Sequence, residues 1–333
     1  MIRYKAPTIV ELAKLLGVAP STVSRAFTDP GKLLPETVER VRRKASEIGY
    51  VPNNHARALI TGRSSVVGMI VPDIANPFFP PILRHAQRAA EDQGLSLILA
   101  DSDGDPEREL QLVGRLTPQV EGLVLAASRL PEKSLVTVAD RLPTVLVNRD
   151  IAGIPRVLVS ADRALDEAVA EFTRDGHRSL AYVGGPAESW SNTQRARQVA
   201  RSVSERGLAL AQFDAPGGTY SEGFDVARAV VAAGATAVIA FDDVIAHGLI
   251  SGFQAAGLSV PLDVSVLGCD DTLTTTTYPP LSSVALDLAG AGRLAVETLS
   301  ASARQPNAAE QRIELEGTLV LRGSTGPAPR VAR

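Results

Sequence analysis

Residues 8–27 read TIVELAKLLGVAPSTVSRAF, and their spacing is that of two short helices joined by a tight turn. Thr8 followed by Glu11 is a capping box, in which each side chain accepts the other's free backbone N–H, ahead of the apolar set Ile9, Leu12, Ala13 and Leu16. Gly17 supplies the turn. Pro20, whose missing N–H costs nothing at a first helical position, restarts a second helix that carries Val23 and Phe27 inward. Ala13 leaves room for a close crossing and Val23 fills it. Outward point Ser21, Thr22, Ser24 and Arg25, short donors and one long cation suited to phosphates and base edges in a major groove. On these residues alone an ordinary helical hairpin fits as well as a DNA-reading pair.

Further along, PETVERVRRKASEIGY (residues 35–50) repeats Val38, Val41, Ala45 and Ile48 on one face and surrounds them with Arg40, Arg42, Arg43 and Lys44. A shorter helix is expected over residues 54–60, between Pro52 and Gly62. Charge is unevenly distributed. Residues 1–63 hold eleven basic and five acidic residues, a net of +6, and the remaining 23 basic and 32 acidic residues leave −9. A basic head that follows phosphates and an acidic body that does not is the division this implies. With 333 residues the chain exceeds one comfortable domain. The expected organisation is a helical DNA-binding module over 1–52, a hinge and linker over 53–63, and a large body over 64–333.

From Ser65 onward, short apolar runs such as VVGMIV, LSLILA, AVIAF and VSVLG alternate with amphipathic stretches of helical length, the signature of parallel βαβ units. Their number exceeds one sheet. Two similar lobes are expected, an N-lobe over about 64–159 plus a C-terminal return and a C-lobe over about 160–285 plus a C-terminal strand. Ligands of open parallel sheets sit beyond the carboxyl ends of the strands. Here those ends carry polar groups repeatedly: Asp73, Asp101, Ser128, Asn148 with Arg149, Asp162, Asp242 and Asp270. Any one of them is more simply a cap or turn residue, whereas their recurrence points to a hydrogen-bonding cleft. Phe78 and Phe79 follow the first body strand, and Trp190 follows Gly185-Pro186. Rings beside carboxylates and an arginine suit a carbohydrate or a nucleobase, although a core position fits Phe79 equally.

Through TVSRAF (22–27), ETVERV (36–41), IGYVPN (48–53) and ARAL (56–59) the chain resembles the LacI/GalR transcriptional regulators. The likeness continues through IVPDIANPFF (70–79), VNRD (147–150), DGHRSLAYVGGP (175–186), VSVLGCDD (264–271) and LVLRGST (319–325). The resemblance implies an α/β fold, with a two-lobed periplasmic-binding-protein-like core of parallel sheets preceded by a small all-α helix-turn-helix domain. It implies a homodimeric repressor on near-palindromic double-stranded operator DNA, controlled by a small-molecule effector between the lobes, most simply a carbohydrate. On this pattern Thr8, Pro20, Ser21, Thr22, Ser24 and Arg25 face DNA, with Pro20, Ser21 and Arg25 on bases and Thr22 and Ser24 on phosphates. Asn54, His55, Arg57 and Leu59 belong to the hinge helix, where Leu59 wedges into the central base step, packs against a partner hinge, or both. The implied effector contacts are Asp73, Asn76, Phe78, Phe79, Asp101, Asn148, Arg149, Trp190, Arg195, Asp242 and Asp270. Among them Arg195 matches the family's effector-binding arginine, and Asp270 an aspartate that contacts a sugar hydroxyl in sugar-responsive members. Asp242 stands where many members have Asn, an acceptor-only group that favours a hydroxyl-rich ligand. Ala19 and Leu34 depart from the usual Ser caps, the former at about 1 kcal/mol of helix stability, and Gln198-Val199 replaces a Gly-aromatic pair.

Other chemistries fail on the residues present. Cys269 is the only cysteine, so neither an intrachain disulfide nor a cysteine-rich metal site is expected. Asp101, Asp103 and Asp105 begin like a calcium loop, but Pro106 and Leu112 stand where its glycine and bidentate glutamate belong. No P-loop, G-x-S-x-G or H-E-x-x-H occurs, and the four histidines lie far apart, His177 being most simply a structural cap. The expectation is a non-enzyme without cofactor or metal. The start MIRYKAPTIVEL lacks a signal-peptide core and no apolar run reaches ~18 residues, so a cytoplasmic protein, nucleoid-associated when on DNA, is expected. A solute-binding transport component would need an export signal and no basic head. A regulator answering to a protein co-regulator is the remaining alternative. No leucine heptad follows Arg322, which favours a dimer.

Overall fold

In the computed structural model, which describes residues 7–50, 64–272, 274–275, 277–304 and 311–329, the head is built on α1 (Ile9–Leu16), α2 (Pro20–Thr28) and α3 (Pro35–Ile48). Its local chemistry follows the sequence closely. Thr8 N donates to Glu11 Oε2 at 2.7 Å and Glu11 N to Thr8 Oγ1 at 3.2 Å, and Gly17 ends α1 with φ 66°. Leu12, Ala13, Val23, Ala26, Val41 and Ala45 form the core where the helices meet, with Phe27 and Tyr50 at its edge, ring centroids 6.1 Å apart. Ala19 and Leu34, as expected, cap nothing with their side chains. The hinge residues Asn54, His55, Arg57 and Leu59 lie outside the described residues.

The chain divides into two units, Met1–Ser64 and Ser65–Arg333. In the second, β1 (Val66–Val71), α4 (Phe79–Asp92), β2 (Ser96–Asp101), α5 (Pro106–Leu116), β3 (Leu123–Ala126), α6 (Glu132–Ala139), β4 (Thr144–Val147) and β5 (Arg156–Ser160) come first. There follow α7 (Asp162–Arg174), β6 (Ser179–Gly184), α8 (Trp190–Glu205), β7 (Ala209–Asp214), α9 (Tyr220–Ala232), β8 (Ala237–Ala240), α10 (Asp243–Ala255) and β9 (Ser265–Asp270). Last come β10 (Ser282–Ala285), α11 (Leu288–Arg304), β11 (Arg312–Glu316) and β12 (Thr318–Val320). Two six-stranded sheets result, ordered β11-β5-β4-β3-β1-β2 and β12-β10-β9-β8-β6-β7. Every neighbouring pair is parallel except β10 with β12. Helices cover both faces, which is why β3, β4 and β8 are buried at every position and read as unbroken apolar runs.

The chain passes between the lobes after Ser160, between Ala285 and Leu288, and between Glu316 and Thr318. These passages touch: Gly317 N donates to Ser160 O at 2.8 Å, and a Cβ on Gly317 would lie 2.7 Å from Leu286 Cδ2. β10 (SSVA) and β11 (RIELE) escape a search for apolar runs because their sequences are half polar. His177 is buried and structural, its ring nitrogens 2.8 Å from Thr236 Oγ1 and 3.0 Å from Gly326 O.

In the N-lobe α11 lies directly on α4. A Cβ at Gly292 would stand 2.1 Å from Ile82 O, a backbone atom that cannot swing aside. Gly292→Ala is therefore expected to lower stability by about 1–3 kcal/mol through overpacking, read as a drop in urea midpoint at unchanged slope. A neutral outcome would mean that the two helices do not meet at this separation.

Candidate functional site

Strand ends of both lobes converge on a cavity of about 320 Å³. Its C-lobe wall is organised by α8. Ser189 caps this helix by accepting from Asn192 N at 3.3 Å, and Ser191 and Arg195, four residues apart, share the face turned to the cavity. Arg195 Nη2 donates to Asp270 Oδ1 at 3.0 Å with both side chains only 5 % exposed, and Nη1 donates to Phe241 O. The same guanidinium lies 4.9 Å above the Phe241 ring. Phe241 in turn requires Gly185, where a Cβ would fall 2.3 Å from its ring. Asn192 fixes the loop carrying Gly185, accepting at Oδ1 from Tyr182 Oη at 3.0 Å and Gly185 N at 3.1 Å.

Asp242 is the N-cap of α10, accepting from Ile245 N at 2.8 Å. Its other oxygen accepts from Asn76 Nδ2 at 3.3 Å, a hydrogen bond from the C-lobe to the loop after β1 in the N-lobe. Asn76 is held by its own Oδ1, which accepts from Phe78 N at 2.9 Å. Phe78 and Phe79 meet edge to face with centroids 5.0 Å apart. Asn148 follows β4 with φ 52°, and its Oδ1 accepts from Val159 N at 2.8 Å.

Burial dominates the electrostatics. It raises the Asp270 carboxyl well above the ordinary aspartate range, with the Arg195 charge pulling the other way. The Asp242 carboxyl is raised by burial too, against the donors Ile245 N and Asn76 Nδ2. Asp243, behind them, is pushed up to about 6 by burial, opposed by Ser283 Oγ at 2.7 Å and Thr272 N at 2.8 Å.

Of the residues expected from sequence, Asp73, Asn76, Phe78, Phe79, Asn148, Arg195, Asp242 and Asp270 line this one cavity. Three others do not. Asp101 accepts from Ile74 N at 2.9 Å and Asp103 N at 2.8 Å and so pins loops around the cavity. Arg149 turns away to donate to Leu130 O at 3.3 Å. Trp190 is the first residue of α8 and lines a separate cavity of about 110 Å³ on the far side of Arg195, with Asp162 and Arg312. Phe241, Ser191, Arg129 and Glu188 are lining residues that the sequence reading passed over. Phe241 ends the run AVIAF and Ser191 precedes Arg195 by one turn, so both were accessible to a stricter use of strand ends and helix faces.

On the head, Pro20, Ser21 and Arg25 are exposed along α2, whereas Thr22 and Ser24 are half-buried. The Thr8 hydroxyl is engaged in the cap, donating to Glu11 Oε2 at 3.1 Å. Among the described residues no group of His, Cys, Asp and Glu is arranged to hold a metal ion, and no helix is long and apolar enough to cross a membrane.

Comparison with known proteins yields two domain matches. The model of the bacterial regulatory proteins of the lacI family matches residues 8–53, and that of the periplasmic binding protein-like domain matches 169–325. DegA of Bacillus subtilis, an HTH-type transcriptional regulator, is 28% identical over 335 residues, covering 96% of this chain and 98% of its own. The Lac repressor dimer bound to operator and the anti-inducer ONPF has the same fold, with TM-score 0.86, 24% identity, and coverage of 96% and 99%. The CelR–cellobiose complex superposes with TM-score 0.71 at 26% identity, covering 96% and 99%.

Removing one partner of the buried ion pair leaves an uncompensated charge. Arg195→Met is expected to lower stability by about 3–5 kcal/mol in chemical unfolding, and Asp270→Leu added to it should recover most of that loss. If the double variant is no more stable than the single one, the pair is not what makes the arginine necessary.

Proposed function

We propose that the chain, which matches the lacI-family model over residues 8–53 and the periplasmic binding protein-like model over 169–325, is a DNA-binding transcriptional regulator of the LacI family, a repressor released from or driven onto its operator by a carbohydrate bound between the lobes. The observation that carries this reading is the grouping of Arg195, Asp270, Asp242 and Asn148 with the rings of Phe78, Phe79 and Phe241 around one cavity. Fixed acceptors and a fixed guanidinium satisfy hydroxyls in defined directions, and aromatic faces cover the apolar face of a sugar ring. A volume near 320 Å³ suits a ligand of one or two sugar rings. The cellobiose bound by CelR supports the same class.

In this mechanism the effector works by differential contact. Groups on both lobes face it, and the lobes are joined by three short passages and by the Asn76–Asp242 hydrogen bond. A ligand that replaces or reinforces that bond favours one inter-lobe angle. β1 begins at Val66, directly after the linker over 53–63, so the angle is conveyed to the segment in which Asn54, His55, Arg57 and Leu59 are proposed to engage the minor groove. Two heads then read successive major grooves, with Pro20, Ser21 and Arg25 on base edges.

The test uses the full chain and duplexes selected by it from a random pool, measured by fluorescence anisotropy with and without a sugar panel. One sugar should shift the operator midpoint. Arg25→Ala should weaken selected DNA by about 1–3 kcal/mol and leave the sugar's affinity unchanged. Selection that yields no preferred sequence, or an operator midpoint that no panel member moves, would sink the proposal.

A further inference from the structure

Among the described residues, five carboxylates and two guanidinium groups line the cavity: Asp73, Asp103, Glu188, Asp242 and Asp270 against Arg129 and Arg195. Each cation already faces carboxylates. Arg195 spends its hydrogen bonds on Asp270 and the Phe241 carbonyl. Arg129, at the N-lobe side, feels the opposing charges of Glu188 from the other lobe and of Glu109 beneath it, whose Oε2 accepts from Arg129 N at 2.9 Å. The positive end of α10, the natural seat for an anion, is occupied by the carboxylate of its own cap, Asp242. Asp242 has no guanidinium hydrogen bond among those described: Ile245 N and Asn76 Nδ2 donate to it, and the Arg195 charge reaches it from beside Asp270.

A unit charge brought within a few ångströms of a carboxylate inside a protein changes affinity by about tenfold or more, and buried charges are poorly screened by salt. Resting on the reading of this cleft as a carbohydrate site, we propose that it selects by charge: it takes an uncharged or amine-bearing sugar, rejects the acid or phosphate of the same sugar, and Asp242 sets that sign. One atom argues the other way. Arg129 Nη1 is buried without a hydrogen-bond partner and is where an anion would compete with Glu188.

The experiment is calorimetric titration of the full chain at physiological salt with matched series: glucose, glucosamine, gluconate and glucose 6-phosphate, the galactose equivalents, and cellobiose with cellobionate. In whichever series binds, the parent or the amine should bind about tenfold or more tightly than the acid and the phosphate. Asp242→Asn, which keeps an equally good helix cap, should narrow that gap by about tenfold. The unsubstituted protein already tests the selectivity, so a poorly folded variant does not protect the proposal. Tighter binding of an acid or phosphate overturns it, and loss of that binding in Arg129→Met would pass the role to Arg129. An unchanged gap in folded Asp242→Asn overturns the assignment to Asp242. If no compound in any series binds or moves operator affinity, the carbohydrate reading itself falls, and the charge rule with it.

Discussion

The ion pair between Arg195 and Asp270, each side chain 5 % exposed, is the constraint on which the C-lobe face of the cleft depends. Two charges removed from water are tolerated only when their geometry and remaining hydrogen bonds are satisfied. Here the second guanidinium arm is used by the Phe241 carbonyl and the cation face by the Phe241 ring. The pair thereby ties α8, the end of β8 and the end of β9 into one piece. A wall made this way keeps its shape before any ligand arrives, and preorganisation of this kind reduces what binding must order.

The opposite wall is attached differently. The N-lobe meets the C-lobe through three adjacent passages of chain, through the Arg163–Glu316 ion pair and, across the cavity, through the Asn76–Asp242 hydrogen bond. Short passages that lie side by side act as a hinge, because rotation about them needs changes in only a few backbone angles. A preformed wall facing a hinged one converts a small ligand into an angle. In the proposed regulator that angle is the signal, and β1 is the first element of the unit that holds the cleft.

Much of this was legible beforehand, and the failures are instructive. The capping box at Thr8 and Glu11, the αL glycine at position 17 and the proline opening α2 are local devices, and they form as read. The parallel strands of the interior were legible for the same reason, since covering both faces forces continuous apolar runs. Strands such as β11, RIELE, at a sheet edge, lack that pressure and were missed. Asp101, Arg149 and Trp190 were grouped with the cleft because each stands at or near a strand end. Their side chains go elsewhere, to the Ile74 amide, the Leu130 carbonyl and the smaller cavity.

What the sequence determined by itself is the head helices, the interior strands and the fold class, which follow from periodicity, caps and motif order within short windows. Which strand-end groups meet, and with what charge state, was decided only by the tertiary structure. Arg195 and Asp270 are 75 residues apart, and Asn76 and Asp242 are separated by 166. No local propensity encodes a hydrogen bond over such a span. It exists because two sheets, each built for its own core, bring their carboxyl ends to the same place.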